Sequence, residues 1–334
     1  IRARNAAAHV DAIRKQVAVA FPAKEILIGE TGWPSAGRMR EGALPSRANQ
    51  ARVVSEILDM ARREKFRVNL IEAYDQPWKR QLEGTVGGNW GLIDAIGRKL
   101  KYPPGEPVSN FPLWKIQMGA GMGLCVLIFI VAMLTLRRKP WKPRRMSWIA
   151  VAVSATAAGI LLGVAVDKLC YESYGFGNSL RWGLLLAAGI LSPLLGANAL
   201  MSGRALPAFV ELMGPRPGRT GSVLSVMLGI TWLVTTLIAA ETALGFVFDP
   251  RYRDFPFAAL TMAVAPCWAL AWLNRPLTGN RPIAESVFAG LLVIAAIYVG
   301  FNEGPKNWQS LWTCVVYAML GITLWRARAA QIQG

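Results

Sequence analysis

The sequence predicts a chain of two parts with different fold classes, an α/β part followed by an all-α membrane part. Two strand-like segments with a helical pattern between them define the first part, over residues 1–101. Seven long apolar segments define the second part, over residues 113–334. Residues 102–112 contain four prolines and one glycine, which is the composition of a linker.

The α/β part begins with a helical pattern over residues 5–19. Its apolar side contains Ala8, Val10, Ile13, Val17 and Val19. The run 26–29 is continuously apolar or small and predicts a short buried strand that ends just before Glu30.

A second helix and a second strand follow. Ser46 is suited to cap a helix that runs to about Lys65. The inner face of this helix is predicted to contain Val53, Val54, Ile57, Leu58 and Ala61. Residues 66–74 predict the second strand, so the order is β-α-β and we expect the two strands to lie parallel.

The chain turns sharply after Glu30, through Gly32, Pro34 and Gly37. In a parallel α/β barrel the catalytic groups lie where strands end and loops begin, because the sheet holds them there against a cleft. Trp33 offers a flat apolar face on which a sugar ring can stack. The alternative is an ordinary strand-to-loop turn in which Glu30 only caps or pairs.

The stretch Gly29-Glu30-Thr31-Gly32-Trp33-Pro34-Ser35-x-Gly37 resembles the nucleophile signature of glycoside hydrolase family 17, the β-1,3-glucanases and glucan transglycosylases. The resemblance implies a (β/α)8 barrel with Glu30 as the catalytic nucleophile and Trp33 in contact with the substrate.

A second stretch, Glu72-Ala-Tyr-Asp75-Gln-Pro-Trp-Lys79 with Glu83 and Gly87-Gly-Asn-Trp-Gly-Leu92, resembles the end of the last barrel strand in that family. The resemblance implies that Asp75, Trp78, Lys79 and Glu83 bind substrate or line the site. Plant members tend to have Glu where Gln76 stands, so the plant residue's role does not carry over there. A lysine near two carboxylates would keep the nucleophile ionised. The alternative is that Lys79 and Glu83 form a solvated surface pair.

A retaining glycosidase needs two carboxyl groups about 5 Å apart. The family's acid/base is a Glu after an Asn at the end of an earlier strand, and no Asn-Glu precedes Glu30. We therefore expect the last two units of an eight-unit barrel, with the acid/base upstream of Ile1. On this view the chain is a piece of a longer protein and is inactive by itself.

The composition favours a membrane protein, with 53% hydrophobic and 17% charged residues. The net charge of +17 could suggest nucleic acid, but many basic residues flank apolar segments, where they orient a membrane protein. We therefore expect no nucleic-acid partner. The four cysteines form no C-x-x-C pair and the single His9 lies far from them, so we expect no metal and no cofactor.

Most of the apolar segments approach or exceed the 17–20 residues, roughly, that a spanning helix needs. They are residues 113–136, 147–166, 181–201, 222–247, 257–273, 284–300 and 310–325. Gly119 and Gly123 form a G-x-x-x-G pattern, which predicts close helix packing. Glu241 lies within the fourth segment, where a carboxylate is either functional or reaches water near the interface.

Basic residues set the predicted orientation. With the first segment running inward, the inner connections and tail hold thirteen of them and the outer connections five. The inner set is Arg137, Arg138, Lys139, Lys142, Arg144, Arg145, Arg204, Arg216, Arg219, Arg275, Arg281, Arg326 and Arg328; the outer set is Lys168, Arg181, Arg251, Arg253 and Lys306. This topology predicts a multi-pass protein of the bacterial inner membrane, surrounded by lipid, with the glycosidase part in the periplasm.

The predicted function is a membrane-anchored retaining transglycosylase that remodels extracytoplasmic β-1,3-glucan. Bacterial proteins that combine this domain with membrane helices resemble β-(1,6)- or β-(1,3)(1,6)-glucan synthesis proteins, which favours transfer. The alternatives are an endo-β-1,3-glucan hydrolase, a glucan exporter, a nucleotide-sugar glycosyltransferase module, or helices that only anchor. The sequence lacks the Asp-x-Asp and Gln-x-x-Arg-Trp of a processive synthase. It does not identify synthesis or export partners.

Overall fold

The computed structural model describes residues 1–138, 142–213, 222–275 and 279–328. These residues fall into two units. The first consists of Ile1–Pro112 together with two short segments, Pro250–Asp254 and Glu303–Gln309, and the second contains the remaining described residues. Of the basic residues used for the orientation, Lys139, Arg216 and Arg219 lie outside the described residues.

The first unit contains a β-α-β arrangement. Its elements are α1 (Ala6–Ala20), β1 (Ile28–Thr31), α2 (Arg47–Glu64), β2 (Val68–Leu70) and α3 (Arg80–Glu83). The two strands pair in parallel, with Ile28 opposite Val68 and Thr31 opposite Leu70, which confirms the expected strand direction. The predicted cap is also confirmed, because the Ser46 hydroxyl accepts a hydrogen bond from the Asn49 amide at 3.2 Å.

The core of the first unit lies between α2, the start of α1 and one face of the sheet. Helix α2 buries Val53, Val54, Ile57 and Ala61 as predicted, together with Met60. The predicted inner face of α1 is wrong: the helix buries Ala6 and Ala7, whereas Ile13, Val17 and Val19 are exposed. Only the first turn of α1 joins the core with α2, which leaves the later apolar side uncovered.

Strand β1 differs from its prediction in position and in burial. It covers Ile28–Thr31 instead of 26–29, so Glu30 is its second-last residue. Gly29 and Glu30 are exposed, whereas Ile28 packs against the core of the first unit. The sheet formed by the described residues has two strands, and the barrel therefore stays a prediction.

The second unit is helical. Its helices are α4 (Trp114–Arg138), α5 (Arg145–Glu172), α6 (Phe176–Ser202), α7 (Phe209–Met213), α8 (Val223–Phe248), α9 (Phe257–Leu273), α10 (Ile283–Glu303) and α11 (Trp308–Arg326), with the end of α10 and the start of α11 belonging to the first unit. Among the described residues, α4, α5, α6, α8 and α10 are long and apolar enough to cross a membrane. Helix α9 is apolar but shorter, and α11 is not one of those five. The five helices are compatible with a membrane region, and seven spans stay a prediction.

Close packing of α4 against α5 uses a different glycine from those predicted. A Cβ at Gly119 or Gly123 would have open space around it, whereas a Cβ at Gly121 would collide with the carbonyl oxygen of Gly159. The G-x-x-x-G prediction is therefore wrong about the residues. Residues four apart share one helix face, and Gly121 lies on the opposite face, which is the one that meets α5.

One ion pair joins α6 to α8, and another lies within α5. Arg181 of α6 donates to both carboxylate oxygens of Glu241 at 3.1 Å. The Glu241 side chain is 46% exposed, and both interpretations of this carboxylate stay predictions. Within α5, Lys168 and Glu172 form a buried ion pair at 2.6 Å.

Candidate functional site

The candidate site lies at the carboxyl ends of β1 and β2. The Ile71 amide donates to the Thr31 carbonyl at 2.9 Å, so the chain beyond β2 continues alongside β1. Gly32 passes so close to Ile71 that a Cβ there would collide with the Ile71 carbonyl oxygen. Glu30 and Glu72 are therefore brought to the same edge of the sheet. Glu30 is exposed, and no residue in the described part of the chain bonds to its carboxylate.

Glu72 has both carboxylate oxygens occupied. Lys79 Nζ lies 2.9 Å from Glu72 Oε1, and Gln76 Nε2 donates to Glu72 Oε2. The side chains of Glu72 and Lys79 are only 10% and 19% exposed. Glu72 was not among the predicted site residues, although its place at a strand end was a usable signal.

Lys79 is therefore paired with Glu72 and not with Glu83. Glu83 ends α3 and is half-buried beside the backbone of Gly87, where a Cβ would lie 2.8 Å from its Oε2. No hydrogen bond or ion pair among the described residues joins Glu83 to Lys79. The structure brings Lys79 to the strand ends and leaves Glu83 on the neighbouring segment.

Aromatic side chains surround this edge. Trp33 is half-buried against the core, and its indole N–H donates to the Leu44 carbonyl at 3.0 Å, which ties Trp33 to the far end of its own loop. Trp78 and Tyr74 are both more than half exposed. Trp78 was predicted to contact substrate and Tyr74 was not, although both belong to the same stretch. Exposed aromatic faces of this kind suit the apolar faces of sugar rings.

Asp75 is buried and holds loops together. Its Oδ1 lies 2.7 Å from Lys101 Nζ and accepts the Gly91 amide at 2.9 Å. Lys101 Nζ also donates to Ser35 Oγ at 2.6 Å, so the pair links the loop after β1 to the loop after β2. The two side chains are 8% and 4% exposed. Substrate contact by Asp75 stays a prediction. In this structure the Asp75 carboxylate bonds to Lys101 and to the Gly91 amide, which belong to the same unit.

Burial dominates the acid–base behaviour of this pair. Loss of hydration raises the pKa of the Asp75 carboxyl above its ordinary value, although Lys101 and the Gly91 amide favour its charged form. Loss of hydration likewise lowers the pKa of Lys101. Next to this pair, burial raises the pKa of Tyr102 to about 12. The Lys101 side chain is thus buried, and Tyr102, the first residue of the predicted linker, is half-buried.

The geometry supports chemistry at a carboxylate. The Glu30 carboxylate is exposed near the end of β1, Glu72 follows β2 and is paired with Lys79, and Tyr74 and Trp78 in the same stretch expose their aromatic rings. This combination suits a carboxylate nucleophile and a flat, partly apolar substrate. Among the described residues, no group of three or more His, Cys, Asp and Glu side chains could hold a metal ion.

Comparison with known proteins places residues 1–91 in a recognised domain. The family model of the BtgE/BtgC glycoside hydrolase domain matches these residues. Two curated proteins of Saccharomyces cerevisiae are also similar. "Probable family 17 glucosidase SCW10" is 33% identical over 72 residues, which are 22% of this chain and 18% of that protein. "Glucan 1,3-beta-glucosidase" is 35% identical over 77 residues, which are 22% of this chain and 24% of that protein.

A solved structure is similar to part of the chain as well. It is an active-site mutant of the Rhizomucor miehei β-1,3-glucanosyltransferase in complex with laminaritriose, 26% identical, covering 30% of this chain and 36% of that one with a TM-score of 0.28. The chain thus spans about a fifth to a quarter of the length of the curated relatives it matches. Residues 1–91 are thus similar to glycoside hydrolase domains, including those of family 17.

Proposed function

We propose that this chain is the membrane-anchored part of a retaining β-glucan transglycosylase, with Glu30 as its nucleophile. The observation that carries the proposal is the exposed, unbonded Glu30 carboxylate at the end of β1, inside a region similar to family 17. The two similar yeast proteins, a glucosidase and a glucan 1,3-β-glucosidase, support a β-1,3-glucan as substrate.

In the proposed reaction, Glu30 attacks the anomeric carbon and the glycosidic bond to the leaving oxygen breaks. A carboxylic acid protonates that oxygen, and the resulting carboxylate later takes a proton from the acceptor as it attacks the glycosyl-enzyme. Glu72 does not suit the acid role, because both its oxygens accept bonds from Lys79 and Gln76. The proposal therefore assigns no described residue to that role.

Lys79 has a supporting role in this proposal. Its ammonium group pairs with the Glu72 carboxylate at 2.9 Å, so Lys79 and Glu72 together add no net charge at this edge of the sheet. Trp33 and Trp78 are proposed to bind sugar rings, and Asp75 and Glu83 to support the surrounding segments. The acceptor is proposed to be a sugar hydroxyl, with water as acceptor in the alternative hydrolase.

The proposed location is the outer face of a bacterial inner membrane. The unit that contains residues 1–112 also contains Pro250–Asp254 and Glu303–Gln309. The count of basic residues assigns these two connections to the outer side, so their grouping with the glycosidase region supports the proposed orientation. The five long apolar helices support membrane insertion.

The test is product analysis with the complete protein in membranes. Laminari-oligosaccharide is supplied to wild type, Glu30→Gln and the control Glu25→Gln, which changes an exposed carboxylate five residues earlier. Wild type and control should give longer or branched products, and Glu30→Gln should lose about 10³-fold or more in rate. Unchanged turnover by Glu30→Gln would refute the proposal.

A second test reports the role of Glu30 directly. In Glu30→Ala, azide can enter the space of the carboxylate and attack an activated aryl β-glucoside. Attack from the nucleophile's side inverts the anomeric carbon and yields the α-glycosyl azide. A β-glycosyl azide, or rescue without azide incorporation, would contradict the assignment of Glu30 as nucleophile.

A further inference from the structure

Arg38 joins distant parts of the sequence inside the first unit. It follows Gly37 in the loop that carries Trp33, and its side chain is only 4% exposed. One guanidinium nitrogen donates to the Pro250 carbonyl and the other to the Glu303 carboxylate. The Glu303 side chain is 11% exposed, so both charges of this pair are buried. A planar guanidinium is suited to such a contact because it directs several donors at once.

The next residue makes contacts of the same kind with its backbone. The Met39 amide donates to Gln309 Oε1 at 3.0 Å, and the Met39 carbonyl accepts from Asn307 Nδ2 at 2.9 Å. Asn307 Nδ2 also donates to Glu303 Oε2 at 2.9 Å. The loop is therefore held at Arg38 and Met39 by residues of Glu303–Gln309, with Pro250 as a further acceptor.

Pro250–Asp254 also contacts the segment that follows Glu83. Thr85 Oγ1 and Asp254 Oδ2 form a hydrogen bond of 2.5 Å. Gly84 has a φ of +74°, and a Cβ there would lie 2.9 Å from the Arg251 carbonyl oxygen, which shows a close backbone approach. The same short segment thus contacts both the loop that carries Trp33 and the segment next to Glu83.

We propose that Pro250–Asp254 and Glu303–Gln309 set the geometry of the glucan site, with Arg38 as the positioning residue for the Trp33 loop. These two segments connect α8 with α9 and α10 with α11, so connections between the apolar helices take part in the site. The inference rests on the proposed function for its substrate, and on the contacts of Arg38 and Met39 for its geometry.

The position of Trp33 depends on this contact through its own loop. The Trp33 indole is bonded to Leu44, and Arg38 and Met39 lie between these two residues in the sequence. If Arg38 loses Glu303, the middle of the loop loses one buried anchor and the position of Trp33 becomes less tightly fixed. Glucan binding then weakens, whereas the Glu30 carboxylate, held in β1, keeps its chemistry.

The experiment compares Glu303→Gln with Glu25→Gln in the complete protein in nanodiscs. Glu25 pairs with Arg67 on the exposed surface, so its variant removes one carboxylate without touching the loop. We expect KM for laminari-oligosaccharide to rise about tenfold in Glu303→Gln. The value of kcat should change less than about threefold, because the variant affects the position of Trp33 and not the Glu30 carboxylate. The control variant Glu25→Gln should keep the wild-type KM and kcat. Equal KM in the two variants would overturn the inference.

A second measurement is independent of turnover. Hydrogen exchange followed by mass spectrometry should show faster exchange in peptides covering residues 37–43 of Glu303→Gln, with unchanged exchange in α2. If wild type shows no turnover but this exchange pattern appears, the proposed function fails and the positioning contact stands. Unchanged exchange over residues 37–43 overturns the positioning contact. If Glu303→Gln does not fold, Asn307→Ala, which removes the donor to the Met39 carbonyl, is subject to the same two criteria.

Discussion

The substitution Lys101→Met tests the interior ion pair that joins the two site loops. Methionine keeps most of the volume of the lysine stem but removes the ammonium group. Asp75 then keeps only the Gly91 amide as a donor at 2.9 Å, and Ser35 Oγ loses its bond to Lys101 at 2.6 Å. The substitution leaves a buried carboxylate without its charge partner.

The expected cost follows from the burial of both groups. The Asp75 and Lys101 side chains are 8% and 4% exposed, so solvent screens their interaction little. Breaking a buried pair by removing one partner costs about 3–5 kcal/mol of stability. In the double variant Asp75→Asn/Lys101→Met neither of these two positions carries a charge, and the cost falls to about 1 kcal/mol for the lost hydrogen bonds.

Pulse proteolysis in urea measures the free energy of unfolding of the first unit in the complete protein. The order of stability should be wild type, then the double variant, then Lys101→Met. A loss below about 1 kcal/mol in the single variant, or a double variant less stable than the single, would refute the view that Asp75 and Lys101 form a buried pair.

Three further outcomes are expected. The cost of Lys101→Met should be larger at pH 8 than at pH 5, and urea curves at the two pH values check this. Burial raises the pKa of Asp75 and Lys101 opposes that rise, so removal of Lys101 raises the pKa of Asp75 further. Protonation of Asp75 therefore stabilises the folded variant more than the wild type at low pH, and this difference is lost as pH rises through the folded pKa of the variant. Gly121→Val should lower the melting temperature of the helical second unit in a detergent melt, and Gly123→Val should not, because of these two glycines Gly121 is the one that faces the Gly159 backbone. Cysteine labelling from outside intact cells should reach a site beside Lys306 and miss one beside Arg144; the reverse pattern would invert the topology.

Local patterns predicted the elements of the first unit better than its contacts. The cap at Ser46, the inner face of α2 and the parallel strands all follow from short-range spacing of apolar and capping residues. The strand at Glu30 shifted by two residues because β1 pairs through Ile28 and Thr31, and the register depends on β2. The buried face of α1 was predicted wrongly, because a row of apolar residues along a helix does not show which neighbouring element covers it.

The site was predicted in part for the same reason. Glu30, Trp33 and Lys79 lie in short motifs, and the structure brings Glu30 and Lys79 to adjacent strand ends. Arg38 and Lys101 were not predicted, because their partners are far away in the sequence. Glu303 is 265 residues from Arg38, and Asp75 is 26 residues from Lys101. Single-sequence spacing carries no information on such pairs.

Trapping of the glycosyl-enzyme tests the role of Glu30 most directly. A 2-deoxy-2-fluoro laminari-oligosaccharyl fluoride should react with the complete protein and leave its sugar on the nucleophile, because the fluorine at C2 slows release. The tryptic peptide of residues 25–38 contains Glu25 and Glu30 as its two carboxylate side chains, and fragmentation separates them. We expect fragmentation to locate the added mass of the sugar at Glu30. The sugar on another residue, or unlabelled Glu30 in a protein that still turns over glucan, would contradict the account.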